Sequence, residues 1–408
     1  MQPLKDIRVL SVTVFLAGPY LSMNLARMGA EVIKIEVPEK GDPVRGNGPF
    51  AGPEGVNPDP ITPQDISTRF IKRSQGLKSM TIDLKTEKGK SVFLDLAKAS
   101  DLVIENLSPG SMGRLGLGYH DVSSVNPKII YCSISGYGQS GQYSNKPAHD
   151  PQIQGMSGLM DINGAEDGPS TKVGFYIGDL VTPLFAAYSI MSALRHRDQT
   201  GQGQYLDVSM MDTLTSLIFM ENLEEDLANG INLRTGNNSR GGPTGLYKTL
   251  DSEIIITVAS DAQWQRLCDG IGLTEYANDP KFGTYTMRIT NVAEARRIIQ
   301  NRIKSLTRSE ALKILEDADV PCGPVRSIEE VMVDQQFYER GTLVPLRNGS
   351  TSSVVPGIGS GWPVQFSSGP LPELDGAPTL GMNTVSILTD TLGYSRKEID
   401  QLKSDGII

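Results

Sequence analysis

Residues 7–36 leave few folds open to this chain. IRVLSVT (7–13) is an aliphatic, β-branched run that reads as a buried strand, YLSMNLARM (20–28) spaces its apolar residues as a helix does, and AEVIKIE (30–36) is a second strand. Strand, helix and strand within about 30 residues is a βαβ unit. The alternation recurs: SMTIDLK (79–85), DLVIEN (101–106) and KIIYCSISGYG (128–138) read as strands. EKGKSVFLDLAKAS (87–100) and GYHDVSSVNP (118–127) between them read as helices. The pattern predicts a mostly parallel α/β sheet, whose ligands sit at the carboxyl ends of the strands. The first strand-to-helix turn, TVFLAGP (13–19), lacks the Gly-x-Gly-x-x-Gly phosphate fingerprint, which removes the main sequence support for nicotinamide or flavin binding.

With 408 residues the chain exceeds what one core usually serves, so two domains are expected. QYLDVSMMDTLTSLIFMENLEEDLA (204–228) offers a strand and a long helix, and NGINLRTGNNSRGGPTGLY (229–247) reads as a linker or exposed loop. EIIITVA (253–259) and the helical DAQWQRLCDGIG, VAEARRIIQNRIK and RSEALKILEDA form a second unit. Residues 343–383, rich in Pro, Gly and Ser, read as a long surface connection, and a helical piece at 384–404 closes the chain.

A net charge of −9 argues against general nucleic-acid binding. The three cysteines, Cys132, Cys268 and Cys322, lie far apart, which fits a reducing, cytoplasmic setting better than a disulfide framework. The three histidines, His120, His149 and His196, include no i, i+4 pair, so no local zinc site is expected. The N-terminal segment mixes Lys5, Asp6 and Arg8 into its apolar run and reads as neither signal peptide nor membrane span.

One acid stands out. In VGFYIGDLVTPLFAAY (173–188), Asp179 is the lone carboxylate in an apolar stretch, and Pro183 reads as the opening of a long helix. Asp179 is either part of a capping arrangement just before that helix or a nucleophile or base at a strand's carboxyl end, desolvated by Phe175, Tyr176, Leu180 and Phe185. His149, beside Asp150, is either a structural group or an acid and base catalyst. Lys34, Lys72, Arg73, Lys78, Arg114 and Lys146 are each a surface charge or a phosphate contact.

The chain resembles the class III CoA-transferases, the group of formyl-CoA and carnitine CoA-transferases that also contains α-methylacyl-CoA racemases. The resemblance rests on PLKDIRVLSVT, LAGPYLSMNLARMGAEVIKIEVPEKGDPVR, KSMTIDLKTEKGK, DLVIENLSPGSMGRLGLGY, SISGYGQSGQYSNKPAHD, IGDLVTPLFAAYSIMSALRHRDQTGQGQYLDVSMMD and DVPCGPV, which span nearly the whole chain in family order. It implies a large Rossmann-like parallel-sheet α/β domain over 1–200 completed by 384–408, a linker over 201–224, an inserted smaller α/β domain over 225–330 and a return linker over 331–383, in an interlocked dimer. It places Asp179 on the family's catalytic aspartate, which forms a mixed anhydride and then an aspartyl-CoA thioester. Lys78, Asn106, Leu107, Arg114 and Lys146 fall at CoA-contacting positions, Leu16 and Ala17 at the thioester end, and Gly241 and Gly242 in a glycine-rich active-site loop that is shorter here. Val37 stands where formyl-CoA transferase has an arginine for CoA. No permanent cofactor is implied; CoA thioesters are substrates, with succinyl-CoA a donor by family habit. Partners are an acyl-CoA, a small carboxylic acid and a second copy of the chain or a related subunit.

Two other activities stay open in this family. In the racemases a His and an Asp move the α-proton, and His149 and Asp179 fall on that pair; against it, LVTPL replaces a glycine-rich run and Lys248 an acidic partner. A non-catalytic subunit of a heteromeric CoA-transferase would have no chemical reason to keep Asp179. Phe15, Leu16, Phe175 and Tyr176 point to an acid with some apolar surface rather than oxalate or formate.

Overall fold

The computed structural model describes every residue except Arg240, and the chain divides into two compact units. The first unit comprises Met1–Leu159, Val173–Met220 and Gln335–Ile408; the second comprises Met160–Lys172 and Glu221–Asp334.

The first unit is built on six strands, β1 (Arg8–Val12), β2 (Glu31–Glu36), β3 (Lys78–Thr81), β4 (Leu102–Glu105), β5 (Ile130–Ser135) and β6 (Gln204–Ser209). They pair in the order β3-β2-β1-β4-β5-β6, all parallel. The helices are α1 (Ala17–Arg27), α2 (Thr68–Ser74), α3 (Glu87–Lys98), α4 (Ser111–Arg114), α5 (Tyr119–Val125), α6 (Asp150–Met156), α7 (Ile177–Thr200) and α8 (Met210–Ile218). Alternating side chains divide between the two faces, as period-2 geometry requires. Val9, Leu102, Ile104, Ile130 and Cys132 pack with Leu21 and Leu25 of α1 and Ala186, Ile190 and Ala193 of α7. Leu10, Val103 and Tyr131 pack on the other face with Val92, Phe93 and Leu96 of α3. By length and composition α7 could cross a membrane, yet it packs here against α1, α8 and β5.

Two stretches differ from the sequence reading. Residues 204–218, wholly inside the expected linker, supply the sixth strand and α8 of the first unit. Within 343–383, β10 (Leu343–Arg347) pairs with β11 (Val354–Ser360), and Leu346, Val355 and Ala377 close a small core with Phe70 and Ile71 of α2. Pro345, the glycines of VVPGIGS and a register shift between Pro345 and Leu346 hide the period-2 signal there. The C-terminal helices, α12 (Thr384–Asp390) and α13 (Arg396–Ser404), bury Ile387, Leu388, Ile399 and Leu402 in the α3 face. The second unit pairs β7 (Gly245–Lys248), β8 (Glu253–Ile256) and β9 (Cys322–Pro324) in an antiparallel sheet. Its core gathers Trp264, Leu267 and Cys268 of α9 (Asp261–Gly270), Ile298 and Ile299 of α10 (Val292–Ile303), and Leu315 of α11 (Arg308–Asp317).

Candidate active site

The chain leaves β1 toward β2 and β3 on one side, then returns to β4 on the other. The strand order therefore reverses between β1 and β4, and ligands of such sheets sit in the crevice outside that point. Asn106 follows β4 at this place. Its Oδ1 accepts from the Val14 amide at 2.8 Å and its Nδ2 donates to the Val14 carbonyl at 3.0 Å, tying the turn after β1 to the end of β4. Gly18 lets α1 pass closely, since a Cβ there would stand 2.6 Å from Thr13 Cβ and 2.9 Å from Asn106 Cγ. Phe15 adopts a left-handed φ of 65°, a strained choice for an aromatic residue.

Buried charges hold this turn from beneath. Lys34 on β2, fully buried, donates Nζ to the Thr13 carbonyl at 2.6 Å and to Asp42 Oδ2 at 2.9 Å. Asp42 Oδ1 in turn accepts from the Phe15 amide at 3.2 Å. From α2, Arg73 Nη1 donates to the Phe15 carbonyl at 2.9 Å. The His149 ring stands edge-on to Phe15 with centroids 6.3 Å apart. Leu16 caps α1 and Ala17 begins it, both buried.

Asp179 lies in the first turn of α7, not before the helix and not at a strand end. The helix begins six residues ahead of Pro183, so the proline sits inside it and cannot donate to the Asp179 carbonyl four residues back. Asp150, only 2% exposed, reaches the start of α7: its Oδ2 accepts from the Gly178 amide at 2.6 Å and the Asp179 amide at 3.3 Å. Its Oδ1 accepts from Gln154 Nε2 at 2.5 Å, and Gln154 Oε1 accepts from the Val173 amide at 2.9 Å. Burial, with the Asp150 carboxylate adding to it, pushes Asp179 up to about 6 against the pull of Arg73. Such a group is ionised at neutral pH yet more basic than a surface aspartate, as a nucleophile or base requires.

The other sequence candidates divide. Leu107 follows Asn106, its amide donating to Glu105 Oε2 at 2.8 Å. Arg114 ends α4 and is exposed, bound to the Pro109 carbonyl and Ser111 Oγ. Lys146 Nζ lies 4.5 Å from the Tyr143 ring centroid. Lys78 stands apart from them: it opens β3 and pairs with Glu31, the first residue of β2, at 2.5 Å. Parallel strands place all amino ends on one edge, opposite the crevice. Gly241 and Gly242 belong to the second unit, where the Gly242 carbonyl accepts from Arg296 Nη2 at 3.2 Å; their neighbour Arg240 lies outside the described residues. Asp150, Asp42 and Arg73 are the members that sequence reasoning did not assemble. Arg73 appeared only as one cation among six, and the position of Asp150, four residues before Gln154 on a helix, was the available signal.

A strand-order reversal with the raised carboxyl of Asp179 beside it, and no dinucleotide glycines, is a candidate site for carboxylate chemistry in an α/β protein. A sequence model described as CoA-transferase family III matches residues 4–384, and the chain belongs to that family; it is a CoA-transferase, acting on CoA thioesters and carboxylic acids. It is 33% identical to a succinate–glutarate CoA-transferase of Agrobacterium fabrum over 95% of both chains. It is 31% identical to a succinyl-CoA–D-citramalate CoA-transferase of Chloroflexus aurantiacus over 100% of this chain and 98% of the relative. Among solved structures it matches a CaiB/BaiF family protein from Brucella suis with a TM-score of 0.79 and 31% identity, covering 94% of this chain and 98% of the other.

Proposed function

We propose that this CoA-transferase takes CoA from succinyl-CoA and passes it to a five-carbon dicarboxylic acid through covalent acylation of Asp179. The observation that carries the chemistry is Asp179 itself, half-buried at the strand-order reversal and accepting no hydrogen bond from the described residues, so that its oxygens are free to attack. The Asp179 oxygen bonds the thioester carbonyl carbon and the C–S electrons leave on the CoA thiolate, giving a mixed anhydride. The thiolate then attacks the Asp179 carbonyl carbon and releases the donor acid, leaving an aspartyl-CoA thioester that the acceptor acid resolves by the reverse steps. The donor and acceptor follow the relatives, whose names give succinate or succinyl-CoA with glutarate or D-citramalate. Arg73 is the cation acting on Asp179 and suits a substrate that carries a second carboxylate. Arg114 and Lys146 are the exposed cations suited to the CoA phosphates, while Asn106, with both side-chain atoms engaged by Val14, shapes the turn on which the thioester rests.

The working form in this reading is an interlocked homodimer. On α7, Leu184, Phe185, Tyr188 and Met191 are exposed, Tyr188 at 76%, an apolar stripe that a partner subunit would cover.

The test supplies succinyl-CoA and a panel of free acids in D2O and reads all CoA thioesters by mass spectrometry. Glutaryl- or citramalyl-CoA that appears with the native enzyme and not with Asp179→Ala supports the proposal. Deuterium entering a 2-methyl-branched acyl-CoA with no new thioester overturns it in favour of proton transfer by His149 and Asp179. An inactive homomer that gains activity only with a related subunit overturns the homodimer.

A further inference from the structure

Asp150 is a buried carboxylate with no cationic partner among the described residues. Among those residues its oxygens accept from two backbone amides of α7 and the Gln154 side-chain amide. Those contacts make it the tertiary cap of α7, taking donors that the helix itself leaves unpaired. They also fix the backbone of Asp179 and set a second negative charge beside it. The charged groups acting on Asp179 are Asp150 from α6 and Arg73 from α2. Arg73 is shared, since Arg69 of the same helix opposes it, Asp42 and Tyr176 also act on it, and its Nη1 is held by the Phe15 carbonyl. His149 stands next to Asp150 in the chain with its ring toward Phe15.

Two carboxylates thus crowd one helix end, and among the described residues the cation acting on Asp179 is the divided Arg73. When Asp179 is acylated its C–O bond to the acyl carbon forms, the C–S bond breaks, and the negative charge leaves with the CoA thiolate and finally with the released acid. The like charge at Asp150 opposes the free carboxylate of Asp179 and does not oppose its uncharged acyl forms. We infer that Asp150 is a positioning residue that holds the nucleophile by its backbone and biases Asp179 toward its acylated states. This inference rests on the reading of Asp179 as the nucleophile.

The test compares the native enzyme with Asp150→Asn, Asp150→Ala and Asp179→Ala. Each is incubated with succinyl-CoA without acceptor, quenched in acid, digested, and assayed for CoA attached to the peptide carrying Asp179. The pH profile of kcat/KM is measured alongside. Asn keeps an acceptor for the α7 amides and loses the charge. Expected for Asp150→Asn is a folded enzyme whose aspartyl-CoA thioester, relative to free enzyme, falls by about tenfold and whose acidic limb moves down by about one pH unit, the two being the same energy read twice. Asp150→Ala should lose more activity through disordering of the helix start. If Asn restores Ala fully, with thioester level and acidic limb at native values, Asp150 is structural only and the inference fails while the nucleophile reading stands. If the native enzyme carries no CoA on that peptide, the nucleophile reading fails and this inference with it.

Discussion

Asp179, the proposed nucleophile, is held in a form that costs stability at neutral pH. Its folded pKa, about 6, lies above the value near 3.9 of an unfolded aspartate, so its contribution favours the folded state fully below about pH 4 and is lost as pH rises through 6. Asp179→Asn should therefore abolish transfer and yet unfold at higher urea at pH 7.5, by about 1–3 kcal/mol, with the gain shrinking at pH 5. Unchanged or lower stability at pH 7.5 would mean that the carboxylate is better solvated than its surroundings indicate. Asp179 was legible in the sequence as a lone acid in an apolar run and by family resemblance. The cluster around it was not, because Arg73 and Asp150 act on it from two separate segments and Asp42 acts on Arg73 from a third. Lys78 shows the converse: its residue type and motif suited a phosphate contact, and only strand direction places it at the opposite edge.

Among the elements, the turn after β1 depends on close packing and on one side chain. Gly18→Ala would bring a methyl to 2.6 Å from Thr13 Cβ and should destabilise by about 1–3 kcal/mol through overpacking. Asn106→Ala leaves the Val14 amide and carbonyl without their partner and should also cost about 1–3 kcal/mol, with a lower kcat as the turn loosens. Urea titrations and steady-state kinetics on both variants check this. The β10–β11 hairpin carries a similar expectation: Leu346→Ala, at a fully buried site, should lose about 2–4 kcal/mol, whereas a free surface connection would lose almost nothing. The main strands and long helices were legible because periodicity reports burial on one or two faces. The start of α7 was misplaced because Pro183 resembles a helix opening, while the capping that permits an earlier start comes from Asp150, 29 residues upstream of Asp179.

For the whole molecule the pH dependence has two opposing parts. Burial pushes Glu105 up to about 7, with Asp207 adding to it, so Glu105 and Asp179 both withdraw stability as pH rises through about 6 to 7. Glu36, deeply buried and paired with Arg45 at 2.7 Å, and Glu31, paired with Arg8 and Lys78, have lowered values despite burial; their contribution is present above about pH 4.5 and lost as pH falls through those values. Urea midpoints should therefore be higher at pH 5.5 than at pH 8, while transfer activity rises over the same interval as Asp179 ionises. A stability maximum at or above pH 8 would contradict the assignment of both buried acids. The proposed homodimer predicts a single species of twice the chain mass in light scattering, and Tyr188→Arg should weaken it. The alternating strands and helices, the lone Asp179 and the family motifs were determined by sequence alone, because each is a local pattern or a resemblance carried by contiguous residues. The strand-order reversal, the amino-edge position of Lys78, the hairpin within 343–383 and the facing of Asp150 on Asp179 were decided by tertiary structure, because each depends on which distant segments share one edge of the sheet.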